Sequence, residues 1–176
     1  FDPTMLPFVL EQMLLERKVH VMLHTTIIGA KRDHRRLTEL EIFSKSGRAT
    51  VSGAMIIDAT GDGDAAAAAG AEFVLGRPED NVCQPVTLMF RIGGVDHERA
   101  AFPGSFESRI DLPKGEIQTL GHEHLPFPAG HVLLYPAPLP GEVCVNMTNV
   151  IGIDGTSVRD LTRAEIVCRE QMVRII

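Results

Sequence analysis

The chain has few cysteines: Cys83, Cys144 and Cys168 are its only three, and none sits in a CxxC or CxxCH spacing. An odd, scattered set argues against a disulfide framework and against a zinc or haem attachment site, and it fits a reducing cytoplasm. Long apolar runs are missing as well. No stretch approaches the ~18 residues of a membrane-crossing helix, and no charged segment with a cleavage site opens the chain, so a soluble protein without a membrane partner is expected. Excess positive charge is also lacking, because 17 Lys and Arg stand against 23 Asp and Glu, a formal net charge of −6. Nothing draws such a chain to a phosphate backbone, which argues against nucleic acid as a partner. The one dense basic run, Lys31-Arg32-Asp33-His34-Arg35-Arg36, reads as a solvated hairpin turn, because a short cluster supplies few phosphate contacts. Ser105, Ser108 and Ser157 lack a nucleophile-elbow context, so hydrolase chemistry has no support.

What is present suffices for a folded core: 176 residues with 44% hydrophobic content. Asp2-Pro3-Thr4 offers a helix start before Met5, Leu6, Val9, Leu10, Met13 and Leu14, whose three- and four-residue spacing predicts an amphipathic helix ending near Arg17-Lys18. Val19 to Leu23 alternates as a strand, and Thr25 to Ile28 extends it. A strand over Leu37–Ser44, a tight turn at Lys45-Ser46-Gly47-Arg48 and a return strand over Ala49–Gly53 then complete a β-meander. Ala54-Met55-Ile56-Ile57 reads as a buried strand, followed by the turn Thr60-Gly61-Asp62-Gly63-Asp64 and by five alanines of high helix propensity, Ala65 to Ala69. Beyond a boundary near residues 77–85 the texture becomes mainly β, with strands expected at Val86–Ile92, Val132–Tyr135 and Val143–Val150 and a helix from Thr162 to Ile176. The chain begins at Phe1 and ends inside that helical pattern, which reads as an internal piece of a longer protein.

The segment from Ile56 to Asp64 carries the chemistry. Its glycines let a backbone turn approach a ligand closely. The amides opening the alanine helix would favour an anion such as a pyrophosphate, whereas the Asp62 and Asp64 carboxylates would suit ribose or ribityl hydroxyls. A plain Asp-rich helix cap explains the same spacing equally well. A calcium loop starting at Asp58 fails its template, since Thr60 falls at the third place and Ala69 where a bidentate Glu is required, so no metal is expected.

The run IIDATGDGDAAAAAGAEFVLG within Val51–Gly76 closely resembles the FAD-dependent oxidoreductase family with a glutathione-reductase-like FAD domain. Asp2–Ile28, Gln84–Asp96, and Val145–Asn149 with Asp154-Gly155 and Asp160–Ile166 resemble the same family in the same order. The resemblance implies an α/β chain: residues 1–77 as part of a FAD-binding domain with helix, meander and Ala-Thr-Gly turn, and residues 78–176 as part of a mainly β substrate domain closed by a helix. It implies that Ala59, Thr60, Gly61 and Asp62, with Asp64, lie near FAD, and that the backbone around Thr26 and Ile27 lies near the adenine. The activity implied is two-electron, hydride-type redox chemistry on a small-molecule substrate. No G-x-G-x-x-G follows a strand, so these 176 residues alone are not expected to hold FAD stably. Apolar surface left uncovered would promote association into a homo-oligomer. A non-catalytic binding or assembly module with flavoprotein-like topology is the competing class.

Gly121-His122-Glu123-His124 with His131 suggests zinc but reads as a polar loop, because Pro126 and Pro128 disfavour a helix that would align the ligands. Cys83 lacks a basic neighbour in sequence and reads as inert, while Cys144 and Cys168 read as strand and helix interior. Phe90 and Arg91 are candidates for a substrate cavity, but alternation sends only one of them inward.

Overall fold

The computed structural model describes residues 2–176 and shows a mixed α/β chain of helices and small antiparallel sheets. It divides into two compact units, one of Pro3–Val74 and the other chiefly of Leu75–Ile176.

The first unit opens with α1 (Leu6–Glu16). Pro7 sets its start: a proline lacks the N–H that a helix interior needs, so it fits only in the first turn, which moves the beginning from Asp2-Pro3-Thr4 to Leu6. The expected apolar spacing forms a helix, yet none of its residues is buried; Met5, Leu6, Val9, Leu10, Met13 and Leu14 remain 41–51% exposed.

The strand expected over Val19–Leu23 is irregular, because His24 takes a left-handed φ of 53° and breaks the extended run. Extension resumes as β1 (Thr26–Asp33), which pairs antiparallel with β2 (Arg36–Ser44), and β2 pairs with β3 (Gly47–Ser52) in the order β1-β2-β3. Both connections are two-residue turns, His34-Arg35 and Lys45-Ser46. The basic run is therefore a turn only at its centre. Lys31, Arg32 and Asp33 belong to β1, where Lys31 Nζ donates to Glu39 Oε2 across the strands at 2.9 Å. That bond, followed by the charge of Glu39, raises the Lys31 pKa. Register slips accommodate Ile28 and Thr38, and the Thr38 hydroxyl donates to the Lys31 carbonyl at 3.0 Å. Ile42 is the buried residue of β2.

Ala54–Ile57 is not the buried strand that its composition suggests. The segment has no strand partner among the described residues, and Met55 and Ile57 are 81% and 82% exposed. Apolar, β-branched composition favours a strand only where a neighbour takes up its backbone N–H and C=O groups.

In the second unit the texture expected to be mainly β is realised as very short strands and two helices. β4 (Phe90–Ile92) and β7 (Leu134–Pro136) flank β8 (Val143–Val145), while β5 (Asp111–Leu112) and β6 (Gly115–Glu116) make a small hairpin. Val143, Val145 and Met147 are buried against Phe90, Ile92, Phe102, Val132 and Leu134. Each of the two valines, at 1% exposure, contributes on the order of 1.5–3 kcal/mol. Alternation thus sends Phe90 into the core and leaves Arg91 exposed.

Where the ladder stops, buried side chains take over the backbone bonding. Thr148 Oγ1 accepts from Leu88 N at 2.7 Å and donates to Leu88 O at 2.9 Å. Gln171 receives the Asn149 N–H and donates to the Asn149 carbonyl, both at 2.8 Å, and Gln118 does the same for Val132 at 2.9 Å. Gln171 lies on α4 (Val158–Ile175), capped by Ser157, whose Ala164 and Cys168 pack with Val150 and Ile153. This helix begins four residues before Thr162. Cys144 lies in β8 and Cys168 in the helix interior, as their neighbours in sequence suggest.

The His-rich stretch corrects the expected loop. Ile117–His124 is a helix, α3, capped by Glu116, whose carboxylate accepts from the amides of Gln118 and Thr119. Pro126 and Pro128 follow the helix instead of interrupting it, which is where proline is tolerated.

Candidate functional site

The turn between Asp58 and Asp64 is organised by one carboxylate. Asp58 Oδ1 accepts from the Thr60 amide at 3.0 Å and the Thr60 hydroxyl at 2.6 Å, and Asp58 Oδ2 accepts from the Ala66 amide at 2.9 Å. Thr60 Oγ1 in turn accepts from the Asp64 amide at 2.9 Å. Foremost the Thr60 hydroxyl, and then the amides of Ala66 and Thr60, hold the Asp58 carboxyl below the ordinary carboxylate range.

Gly63, at φ 72°, is the left-handed residue before α2 (Asp64–Ala68), a conformation that a side chain disfavours. Ala65 points inward at 1% exposure, and α2 packs against β1. The turn and the alanine helix therefore form as expected, but the cap comes from Asp58 and Thr60, upstream of the acidic pair Asp62 and Asp64.

That arrangement decides what the turn can receive. A phosphate at the start of α2 would meet the Asp58 carboxylate already bonded there, and the Asp64 and Ala66 amides are spent within the chain. The carboxylates of Asp62 and Asp64 are exposed and make no side-chain bond with any described residue, which leaves acceptors for ligand hydroxyls. Ala59 and Gly61 are exposed beside them and Thr60 is half-buried. Ile27 stands apart from this network. It is half-buried in β1 and pairs with Ile42, on an edge strand whose outer backbone groups face away from β2.

Asp58, weighed in the sequence as the start of a calcium loop, is instead the residue that organises the turn. The signal that finds it is the D-x-T spacing, in which a carboxylate bonds the amide and hydroxyl two residues on. The same geometry recurs at Asp154-Gly155-Thr156, with bonds of 2.8 and 2.7 Å. D-x-T by itself therefore specifies a turn, and what sets Asp58–Asp64 apart from it is the glycines and the exposed carboxylates around it.

Elsewhere, the His122 and His131 rings meet edge to face at 4.6 Å and Phe106 covers His131 at 4.9 Å. His124, two residues on along α3, is turned about 200° from His122, so the two do not share a side as an extended segment would allow. Among the described residues no group of three His, Cys, Asp or Glu is placed to hold a metal ion, and no helix is long and apolar enough to cross a membrane.

A family model described as FAD dependent oxidoreductase matches residues 1–176. Nothing among curated proteins or solved structures matches the chain.

Proposed function

Since the chain belongs to the FAD dependent oxidoreductase family, we propose that the Asp58–Asp64 turn holds a hydroxylated part of FAD, its ribose or ribityl chain, within a glutathione-reductase-like domain. The observation that carries this reading is the division of labour among the acidic residues. Asp58 is consumed in shaping the turn, whereas Asp62 and Asp64 stay exposed beside permissive glycines, a set of acceptors suited to hydroxyls and unsuited to phosphate. Ala59, Thr60, Gly61, Asp62 and Asp64 would line the cofactor, and the outer backbone edge at Ile27 would serve its adenine. When bound, FAD supplies hydride-type, two-electron chemistry, and the protein supplies position and electrostatics. The substrate is a small molecule, and the setting is cytoplasmic.

The test is flavin retention after mixing with excess FAD and desalting, on the 176-residue chain and on the protein expressed from its complete reading frame. Retained flavin absorbance in the complete protein, reduced about tenfold by the paired Asp62→Ala and Asp64→Ala changes at unchanged thermal stability, is the expected result. Absence of flavin from the complete protein would overturn the oxidoreductase reading in favour of a non-catalytic module, which the lack of a G-x-G-x-x-G in the chain supports.

A further inference from the structure

Arg32 and Arg35 line one open concavity of about 430 Å³ in the Pro3–Val74 unit, whose remaining wall is Leu37, Ala69 and Ala71. Arg32 is exposed, and its guanidinium lies over Gly70. A Cβ added at Gly70 would lie 3.6 Å from its guanidinium carbon and nitrogens, so the group rests against the C-terminal end of α2. The other members of the basic run are engaged: Lys31 with Glu39 at 2.9 Å, Arg36 with the Ala54 carbonyl at 3.2 Å, and His34 beside Asp33 at 3.7 Å. None of the ion pairs among the described residues involves Arg32 or Arg35.

Two cations therefore line one concavity with no carboxylate at ion-pair distance from either among the described residues, in a chain whose net charge is −6. Like charges so placed raise the local potential, and an oxyanion relieves it. A guanidinium offers a planar fork of donors that matches oxyanion geometry. The start of α2 cannot serve instead, because Asp58 and Thr60 occupy its amides. We propose that this concavity binds a phosphoryl group carried on a small molecule, with Arg32 and Arg35 holding the phosphoryl oxygens and Leu37, Ala69 and Ala71 receiving the apolar part next to it. The assignment goes beyond the flavin reading and does not depend on it, since the ligand groups and protein residues differ.

The experiment titrates the chain with inorganic pyrophosphate at ionic strength held constant with sodium chloride, followed by backbone-amide NMR. Saturable shifts are expected at Arg32, Arg35, Gly70 and Ala71. Affinity should fall about tenfold in Arg35→Gln and further in the Arg32→Gln, Arg35→Gln pair, while Lys31→Gln, which removes the same charge from the same basic run, should bind nearly as wild type. Shifts no larger than those with chloride would overturn the site. So would a loss in Lys31→Gln equal to that in Arg35→Gln, which would mark a general charge effect. Malonate binding as tightly as pyrophosphate would refute the phosphoryl assignment. The probe carries no flavin, so a failed flavin-retention test leaves this titration readable.

Discussion

Replacing Gln171 by leucine tests whether a side chain substitutes for a strand in the second unit. Gln171 is 3% exposed and closes a pair of 2.8 Å bonds with the backbone of Asn149, joining α4 to the segment after β8. Leucine nearly preserves the volume but leaves the Asn149 N–H and C=O without partners. An orphaned buried polar group costs about 1–3 kcal/mol. Because Asn149 is half-buried, the lower part of that range applies to each group, giving about 2–4 kcal/mol for the pair. With a urea m-value of about 2 kcal/mol/M, the midpoint followed by far-UV circular dichroism should fall by about 1–2 M.

Gln171→Glu separates the two bonds. It keeps an acceptor for the Asn149 N–H but sets a second acceptor against the Asn149 carbonyl. The protonated carboxyl restores that bond by donating, so the folded state raises its pKa above the unfolded value of about 4.3. Stability of this variant should therefore be near wild type below about pH 4 and decline as pH rises through the folded value. A Gln171→Leu midpoint within about 0.3 M of wild type, or a Gln171→Glu deficit that does not change with pH, would refute the reasoning.

The Asp58 turn should respond to acid in the opposite sense. Its carboxyl pKa is depressed in the folded chain, so the stabilisation it contributes is present above the unfolded value of about 3.9 and is lost as pH falls through the folded value. Hydrogen exchange at the Ala66 amide should accelerate there beyond its intrinsic pH dependence, and Asp58→Asn should abolish that extra step. Ala164, 4% exposed between Val150, Ile153 and Cys168, has no room for growth; Ala164→Leu should cost about 1–3 kcal/mol by overpacking. Glu170→Gln on an exposed position of the same helix should stay within about 0.5 kcal/mol of wild type, both variants being read by urea unfolding followed by far-UV circular dichroism.

Elements specified by neighbouring residues are legible in the sequence. The periodic apolar residues after Pro3, the two-residue turn Lys45-Ser46 and the alanine run each carry a local cause for their conformation, and α1, the β2–β3 hairpin and α2 form where those causes lie. The Asp-Ala-Thr-Gly-Asp-Gly-Asp turn is equally visible as a turn. Which acid builds it and which acids face outward is not, because Asp58 reaches the Ala66 amide eight residues away, beyond any local spacing rule. The fate of Ala54–Ile57 is also out of reach: an apolar, β-branched segment becomes a strand only against a partner, and none pairs with it among the described residues. The same holds for α3, where proline suggests a barrier although Glu116 starts the helix soon enough for it to finish before Pro126. Sequence alone thus determined the turns and helices whose bonds close within a few residues. Tertiary structure decided which strands found partners, which polar side chains replaced a missing ladder and which charges were drawn into bonds within the chain, because those outcomes depend on atoms brought together from distant parts of the chain.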